Sequence, residues 1–236
     1  MIEEHLIGKV PPSIHYIPDF ISREEGEYLL KNVYTAPKPK WTQLSNRRLQ
    51  NWGGLPHPKG MVAEDLPKWL QTCAEKISRL GVFEDKVPNH VLVNEYEAGQ
   101  GIMPHVDGPL YFPTVSTISL GSHTLLDFYK PIQEHSESEN MNVNSETIAT
   151  AFEDRYVSSI LLQPRSLILV RDDMYTRYLH GIAERTDDII NTSVANLDKC
   201  VGVNVGDKIT RTTRVSLTIR YVPKTIKAKL LFGVKR

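Results

Sequence analysis

Residues 214–220 read Arg214-Val215-Ser216-Leu217-Thr218-Ile219-Arg220, polar and apolar in unbroken alternation. A period of two belongs to a strand. It sets Arg214, Ser216, Thr218 and Arg220 on one face and Val215, Leu217 and Ile219 on the other. If the polar face meets water, two arginines there need no explanation. If it lines the inside of a barrel, two buried guanidinium groups require anions to compensate them. Arginine is suited to bidentate binding of a carboxylate, so a dicarboxylate would serve.

Upstream of this strand, from His90 onward, five more short β-branched runs occur: HVLVNEY, TVSTISLG, TLLDFY, YVSSILLQ and SLILVRD. Turn residues separate them, as in an antiparallel barrel or sandwich. Before His90 the period is helical. Ser22-Arg23-Glu24-Glu25 forms a capping box ahead of Leu29, Leu30 and Val33, and Pro37 ends that helix. A second helix follows Asp65, with Leu66, Trp69, Leu70, Cys73, Ile77 and Leu80 on its apolar face and Gly81 as its stop. The fold expected is mainly β with flanking helices, a barrel buttressed by N-terminal helices. Residues 1–89 form the helical buttress, with a loop-dominated excursion over about 38–60. Residues 90–223 form the barrel, and 224–236 a basic tail. Two stretches, 133–154 with six acids and no Lys or Arg, and 187–207, read as mobile insertions without core residues.

The 236 residues carry 28 Lys+Arg against 28 Asp+Glu. A net charge of zero argues against coating nucleic acid or an anionic membrane by bulk charge. The two cysteines, Cys73 and Cys200, are far apart, which excludes a disulfide-stapled scaffold and a Cys-based zinc site. The first residues lack the apolar run of a signal peptide, and no stretch is long enough to span a bilayer. A reducing compartment, no membrane partner and a monomer are the simplest expectations.

The groups best suited to chemistry are His105-Val106-Asp107 and the distant His180. Two imidazoles and one carboxylate form a facial triad for Fe(II) that leaves positions open for a bidentate cosubstrate and O2. In extended chain, residues 105 and 107 point the same way. His180 lies in a turn-like stretch, MYTRYLHGI, after a strand. With eight His and 28 acids, His-x-Asp alone arises often by chance. Within Asn94-Glu95-Tyr96 the outer residues share a face and offer an amide and a phenol as hydrogen-bond donors to a carboxylate.

Asn-x-Tyr, then His-x-Asp, then a distant His, then Arg-x5-Arg resembles the AlkB family of Fe(II)/2-oxoglutarate dioxygenases, as do LQNWGGLPHPKGM (49–61) and GIMPHVDGPLYFPTVSTISLGSHTLLDFY (101–129). The likeness runs from about Arg47 to the last strand. It implies a double-stranded β-helix (jelly-roll) fold, with Fe(II), 2-oxoglutarate and O2 as cofactors. By position it makes His105, Asp107 and His180 the iron ligands. Arg214 and Tyr96 would hold the distal carboxylate of 2-oxoglutarate, and Asn94 and Arg220 would lie near its metal-side end. Ser216 stands where the family usually has Asn, which implies fewer hydrogen bonds to the cosubstrate while the charge pairing stays in the arginines.

The same resemblance implies oxidative dealkylation of N-alkylated bases in nucleic acid, modified RNA or alkylated DNA, by a protein of nucleus and cytoplasm. Residues 38–60 would be a nucleotide-recognition lid. Arg47, Arg48, Asn51 and Trp52, with Tyr111, would then meet phosphate, base edge and base face. Trp52 serves equally well as a plug of the core beneath that loop. The cations Lys224, Lys227, Lys229, Lys235 and Arg236 could touch a phosphate backbone, though a solvated tail explains them as well. His123 and Asp127 read as strand polarity and His57 as a loop residue. Alternatives are a 2-oxoglutarate oxygenase acting on a protein or small molecule, and a weakly active binder of modified RNA.

Overall fold

The computed structural model describes residues 2–11, 13–131 and 154–226. The stretch expected to be an acidic insertion, 133–154, lies outside the described residues except for Asp154, as does the tail from 227 onward.

In chain order the elements are β1 (Ile14–Ile17), α1 (Arg23–Thr35), β2 (Trp41–Leu44), β3 (Arg47–Trp52), β4 (Gly54–Leu55), β5 (Met61–Ala63), α2 (Lys68–Ser78), β6 (His90–Tyr96), β7 (Ile102–His105), β8 (Thr114–Gly121) and β9 (Thr124–Tyr129). There follow β10 (Tyr156–Leu162), β11 (Leu167–Arg171), α3 (Asp172–Thr176), β12 (Leu179–Ile182), β13 (Asp187–Ile189), β14 (Lys208–Thr210), β15 (Arg214–Arg220) and β16 (Thr225–Ile226). A seven-stranded sheet runs β1-β11-β8-β15-β6-β3-β2, and a four-stranded sheet runs β10-β9-β12-β7. Face to face they make the jelly roll.

The alternation of β15 sets the whole architecture. Val215, Leu217 and Ile219 are buried on the outer face of the large sheet with Val91, Val93, Ile118, Leu120, Leu167 and Leu169. Against that face pack Leu29 and Val33 of α1 and Leu70, Ala74 and Ile77 of α2. The capping box forms as the sequence dictates: the Glu25 amide donates to Ser22 Oγ at 3.1 Å, and the Ser22 amide donates to Glu25 Oε2 at 2.7 Å. The opposite face looks into the barrel, where Tyr96, Val115, Leu126, Phe128, Ile160, Leu162, Ile168 and Val170 form a second core.

Two expectations are corrected. Residues 38–60 are not dominated by loop: β2 and β3 extend the large sheet, with β3 paired to β6 from Arg48↔Glu95 to Trp52↔Val91. Tertiary pairing to β6 overrides the weak local pattern of polar residues. Nor is 187–207 free of core residues. Asp188 and Asn196 are wholly buried, and Ile190, Val194 and Ala195 are nearly so. β13 pairs with β14, and the Asn196 side chain accepts from the Leu161 amide and donates to the Leu161 carbonyl, both at 2.9 Å.

Candidate active site

The inner ends of both sheets enclose a cavity of about 630 Å³, within the range of small-molecule sites. β7 and β12 are neighbours in the small sheet, with His105 directly opposite His180 and their ring centroids 4.6 Å apart. Asp107 lies two residues beyond the end of β7. The ligand atoms of His105, Asp107 and His180 all fall within 4.8 Å of one another. His180 is thus on a strand, not in the turn its sequence suggests. Gly181 makes this approach possible, since a Cβ there would sit 2.8 Å from the Pro104 nitrogen.

Each of the three groups is prepared as a donor. The Nδ1 of His105 lies 2.8 Å from the Met103 carbonyl; with Nδ1–H donating to it, the ring turns Nε2 toward the cavity. Burial, the largest influence, pushes the His180 imidazole down to about 4, which keeps it neutral near pH 7. Asp107 accepts a hydrogen bond on Oδ1 from Arg220 Nη2, while its buried Oδ2 has no partner among the described residues. An orphaned carboxylate oxygen beside two imidazoles is what a divalent cation with mixed N and O ligands fits.

On the opposite wall all seven residues of β15 are buried, and Arg214, Ser216, Thr218 and Arg220 line the cavity. Arg214 pairs across the sheet with Tyr96, and Ser216 with Asn94. Arg214 donates to Ser119 Oγ at 2.9 Å, its guanidinium lies 5.9 Å from the Tyr96 ring centre, and its Nε has no partner among the described residues. Burial lowers its pKa to about 10, since the protein groups around it compensate the charge incompletely. A bound carboxylate is the compensation it lacks. Asn94 is engaged by Arg47, whose Nε donates to Asn94 Oδ1 at 3.2 Å. Burial raises the Tyr96 phenol, so it remains a neutral donor. Ser119 escaped the sequence reading, although the alternation of TVSTISLG places it with Val115 and Thr117 on the inner face.

Of the residues expected to meet substrate, Arg47 and Tyr111 line the cavity. Tyr111 packs under the Arg220 guanidinium, 4.7 Å from ring centre. The others are corrected. Arg48 points to the outer face, pairs with buried Glu95 through two hydrogen bonds and covers the Trp41 ring. Trp52 is packing: it meets Trp69 edge-on at 5.8 Å and donates to Gln50. Asn51 shares Arg47's face but lies further along β3, opposite Leu92, and is not part of the cavity wall. Asp127 accepts from Ser159 at 2.5 Å, and His123 lies 3.2 Å from Asp188, so both act within the fold. His57 accepts from the Lys59 amide in its loop.

A facial His-Asp-His cluster facing buried arginines in a jelly roll defines an Fe(II)/2-oxoglutarate-dependent oxygenase. The model of the 2OG-Fe(II) oxygenase superfamily matches residues 29–220, and the chain belongs to that superfamily, in its AlkB-like branch. Its cofactors are accordingly Fe(II), 2-oxoglutarate and O2, and it is a dioxygenase. A Danio rerio protein named "Probable RNA/DNA demethylase ALKBH6" is 56% identical over 234 residues, covering 99% of this chain and 96% of that one. Uncharacterized protein L905 of Acanthamoeba polyphaga mimivirus is 30% identical, over 88% of this chain and 84% of its own. The Xenopus tropicalis tRNA (carboxymethyluridine(34)-5-O)-methyltransferase alkbh8 is 25% identical over 94% of this chain, which spans 33% of that longer protein. The solved structure of OsALKBH1 shares the fold, with a TM-score of 0.51 at 14% identity over 89% of this chain and 99% of that one.

Proposed function

We propose that the protein oxidatively removes methyl or other small alkyl groups from nitrogen atoms of nucleobases in RNA or DNA. The observation that carries this is the convergence of a His-Asp-His cluster and two buried arginines on one cavity whose wall includes Arg47 of the β2–β3 hairpin. The 56% identical relative named as a probable RNA/DNA demethylase supports the choice of substrate. The proposal includes RNA binding, a part in repair of alkylated DNA, and action as a monomer in nucleus and cytoplasm.

In this reading His105, Asp107 and His180 hold Fe(II). Arg214, with Tyr96 and Ser216 beside it, holds the distal carboxylate of 2-oxoglutarate, and Arg220 and Asn94 face its metal-side end. Arg220 also fixes Asp107 through Oδ1 and so leaves Oδ2 for the metal. Arg47 and Tyr111 meet the nucleotide. Together Fe(II), 2-oxoglutarate and O2 supply the power to hydroxylate a C–H bond, and a hydroxylated N-methyl group leaves as formaldehyde. The chain contributes binding, orientation and a water-poor wall of Leu126, Leu162, Ile168 and Val170.

The test is succinate and formaldehyde release with methylated strands, unmethylated strands and no strand. Both products should rise only with methylated strands, and Asp107→Ala should abolish them while leaving the far-UV circular dichroism unchanged. Formaldehyde from methylated strands at the level of the Asp107→Ala background would end the proposal.

A further inference from the structure

Of the three clustered groups, Asp107 owes least to regular structure. His105 ends β7 and His180 lies within β12, and these two strands pair with each other. Residues 106–108 belong to no strand or helix. Gly108 takes φ +88°, a left-handed conformation that glycine enters without steric cost, and it turns the chain straight after Asp107. Arg220 holds the carboxylate through Oδ1, which fixes the side chain and not the loop beneath it.

A side-chain hydrogen bond fastens that loop. The Tyr175 hydroxyl donates to the Gly108 carbonyl at 2.9 Å, across 67 positions of chain. Tyr175 is only 5% exposed and belongs to the barrel core with Ile168, Val170 and Met174. Burial first, and then the negative charge of Asp107, raises the pKa of its phenol, so the hydroxyl keeps the proton it donates. The support behind it is firm. Tyr175 lies in α3, which follows β11 directly and is closed by the Arg177 and Tyr178 amides donating to the Asp173 carbonyl at 2.9 and 3.3 Å. Leu179 then opens β12, so Tyr175 stands five residues before His180 on one short unit. A single hydroxyl thus ties the element that carries the second imidazole to the loop that carries the carboxylate.

We infer that Tyr175 is a positioning residue for the metal site: through the Gly108 carbonyl it sets the backbone of Asp107, and with it the reach of Oδ2 toward an ion shared with His105 and His180. It is not part of the cavity wall and acts through Asp107. The inference rests on the reading of these three residues as iron ligands, and adds the group that keeps the carboxylate in register with the imidazoles. A carboxylate on a loose loop must be ordered at each binding event, whereas one already in place costs no ordering.

The test is Tyr175→Phe, which keeps the ring in the core and removes only the hydroxyl. Co(II) is titrated to millimolar concentration into wild type and variant and followed by its visible absorption. Affinity should fall by about tenfold, the lower end of the loss expected when a group behind a metal ligand is removed. The same substitution made in Asp107→Ala, where both imidazoles remain, should change affinity by less than twofold, because the group through which Tyr175 acts is gone. A loss of packing alone would weaken binding alike in both backgrounds. Affinity of Tyr175→Phe within twofold of wild type, or an equal loss in the two backgrounds, overturns the inference and leaves the metal site standing. Failure of the wild-type protein to bind Co(II) overturns the metal reading and the inference with it.

Discussion

The Arg214 guanidinium is costly where it is buried. Its charged form is disfavoured by burial, which lowers its pKa to about 10. A cation whose folded pKa lies below its unfolded one subtracts stability at every pH below the folded value, here about 3 kcal/mol at pH 7. Arg214→Met should therefore raise the melting temperature of the cofactor-free protein by several degrees. It should also raise the KM for 2-oxoglutarate by about 30-fold or more, since the carboxylate loses its buried partner. A lower melting temperature with unchanged KM would contradict the site. His90 presents a related case. Both its ring nitrogens are buried without a partner among the described residues, and burial followed by the charge of Arg220 pushes its pKa down to about 3. The unfolded chain binds the proton first as pH falls, so stability drains away from about pH 6.5 toward pH 3. His90→Leu should flatten the decline of melting temperature between pH 7 and 4.5; an unaltered slope would show that His90 does not titrate in this way.

At the level of elements, β12 carries the most consequence for its four residues. It was illegible as a strand because LHGI is short, contains a glycine and has a single strongly apolar residue at each end. Its pairing with β7 and β9 comes wholly from the tertiary fold. The glycine is the signal in retrospect, marking a close backbone approach. Gly181→Ala would drive a methyl group into the Pro104 backbone and part β7 from β12. The expected result is a fall of at least tenfold in affinity for Co(II), measured by its visible absorption, because His105 and His180 separate; affinity within twofold of wild type would show that the pair tolerates the shift. β3 shows a different limit. Its residues were read as loop, with Arg47 and Arg48 alike turned to substrate, and only the pairing to β6 puts Arg47 on the inner face and Arg48 on the outer. Glu95, buried on the outer side, claims Arg48.

Across the whole molecule, the strands rich in β-branched residues, helices α1 and α2 and the capping box were readable, because each declares itself by local periodicity. The insertion at 187–207 was not, since its buried Asp188, Val194 and Asn196 are spaced irregularly and gain their partners from distant strands. The His-Asp-His and Arg-x5-Arg pattern was legible as an ordered set, whereas Tyr175 and Gly108 follow no pattern and meet only in three dimensions. The two cores lie on opposite faces of the large sheet, and the helix-side one is assembled without contribution from the cavity. Stripping metal with a chelator should thus lower the melting temperature yet leave a cooperative transition, unlike the collapse of a small zinc domain. Adding back Mn(II) alone at 100 times its dissociation constant should restore about 2.7 kcal/mol. Loss of the transition on chelation would mean that the metal holds the fold together.

Since the seven residues of β15 pack toward the helices on one side and face the cavity on the other, natural variation along them is expected to beat in twos. Odd-numbered replacements would register as heat sensitivity with catalysis spared, and even-numbered ones as starvation for cosubstrate in a sturdy protein. An insertion of one residue within the strand would exchange the two sides and lose both properties at once, so lineages should lengthen the preceding turn and never the strand itself.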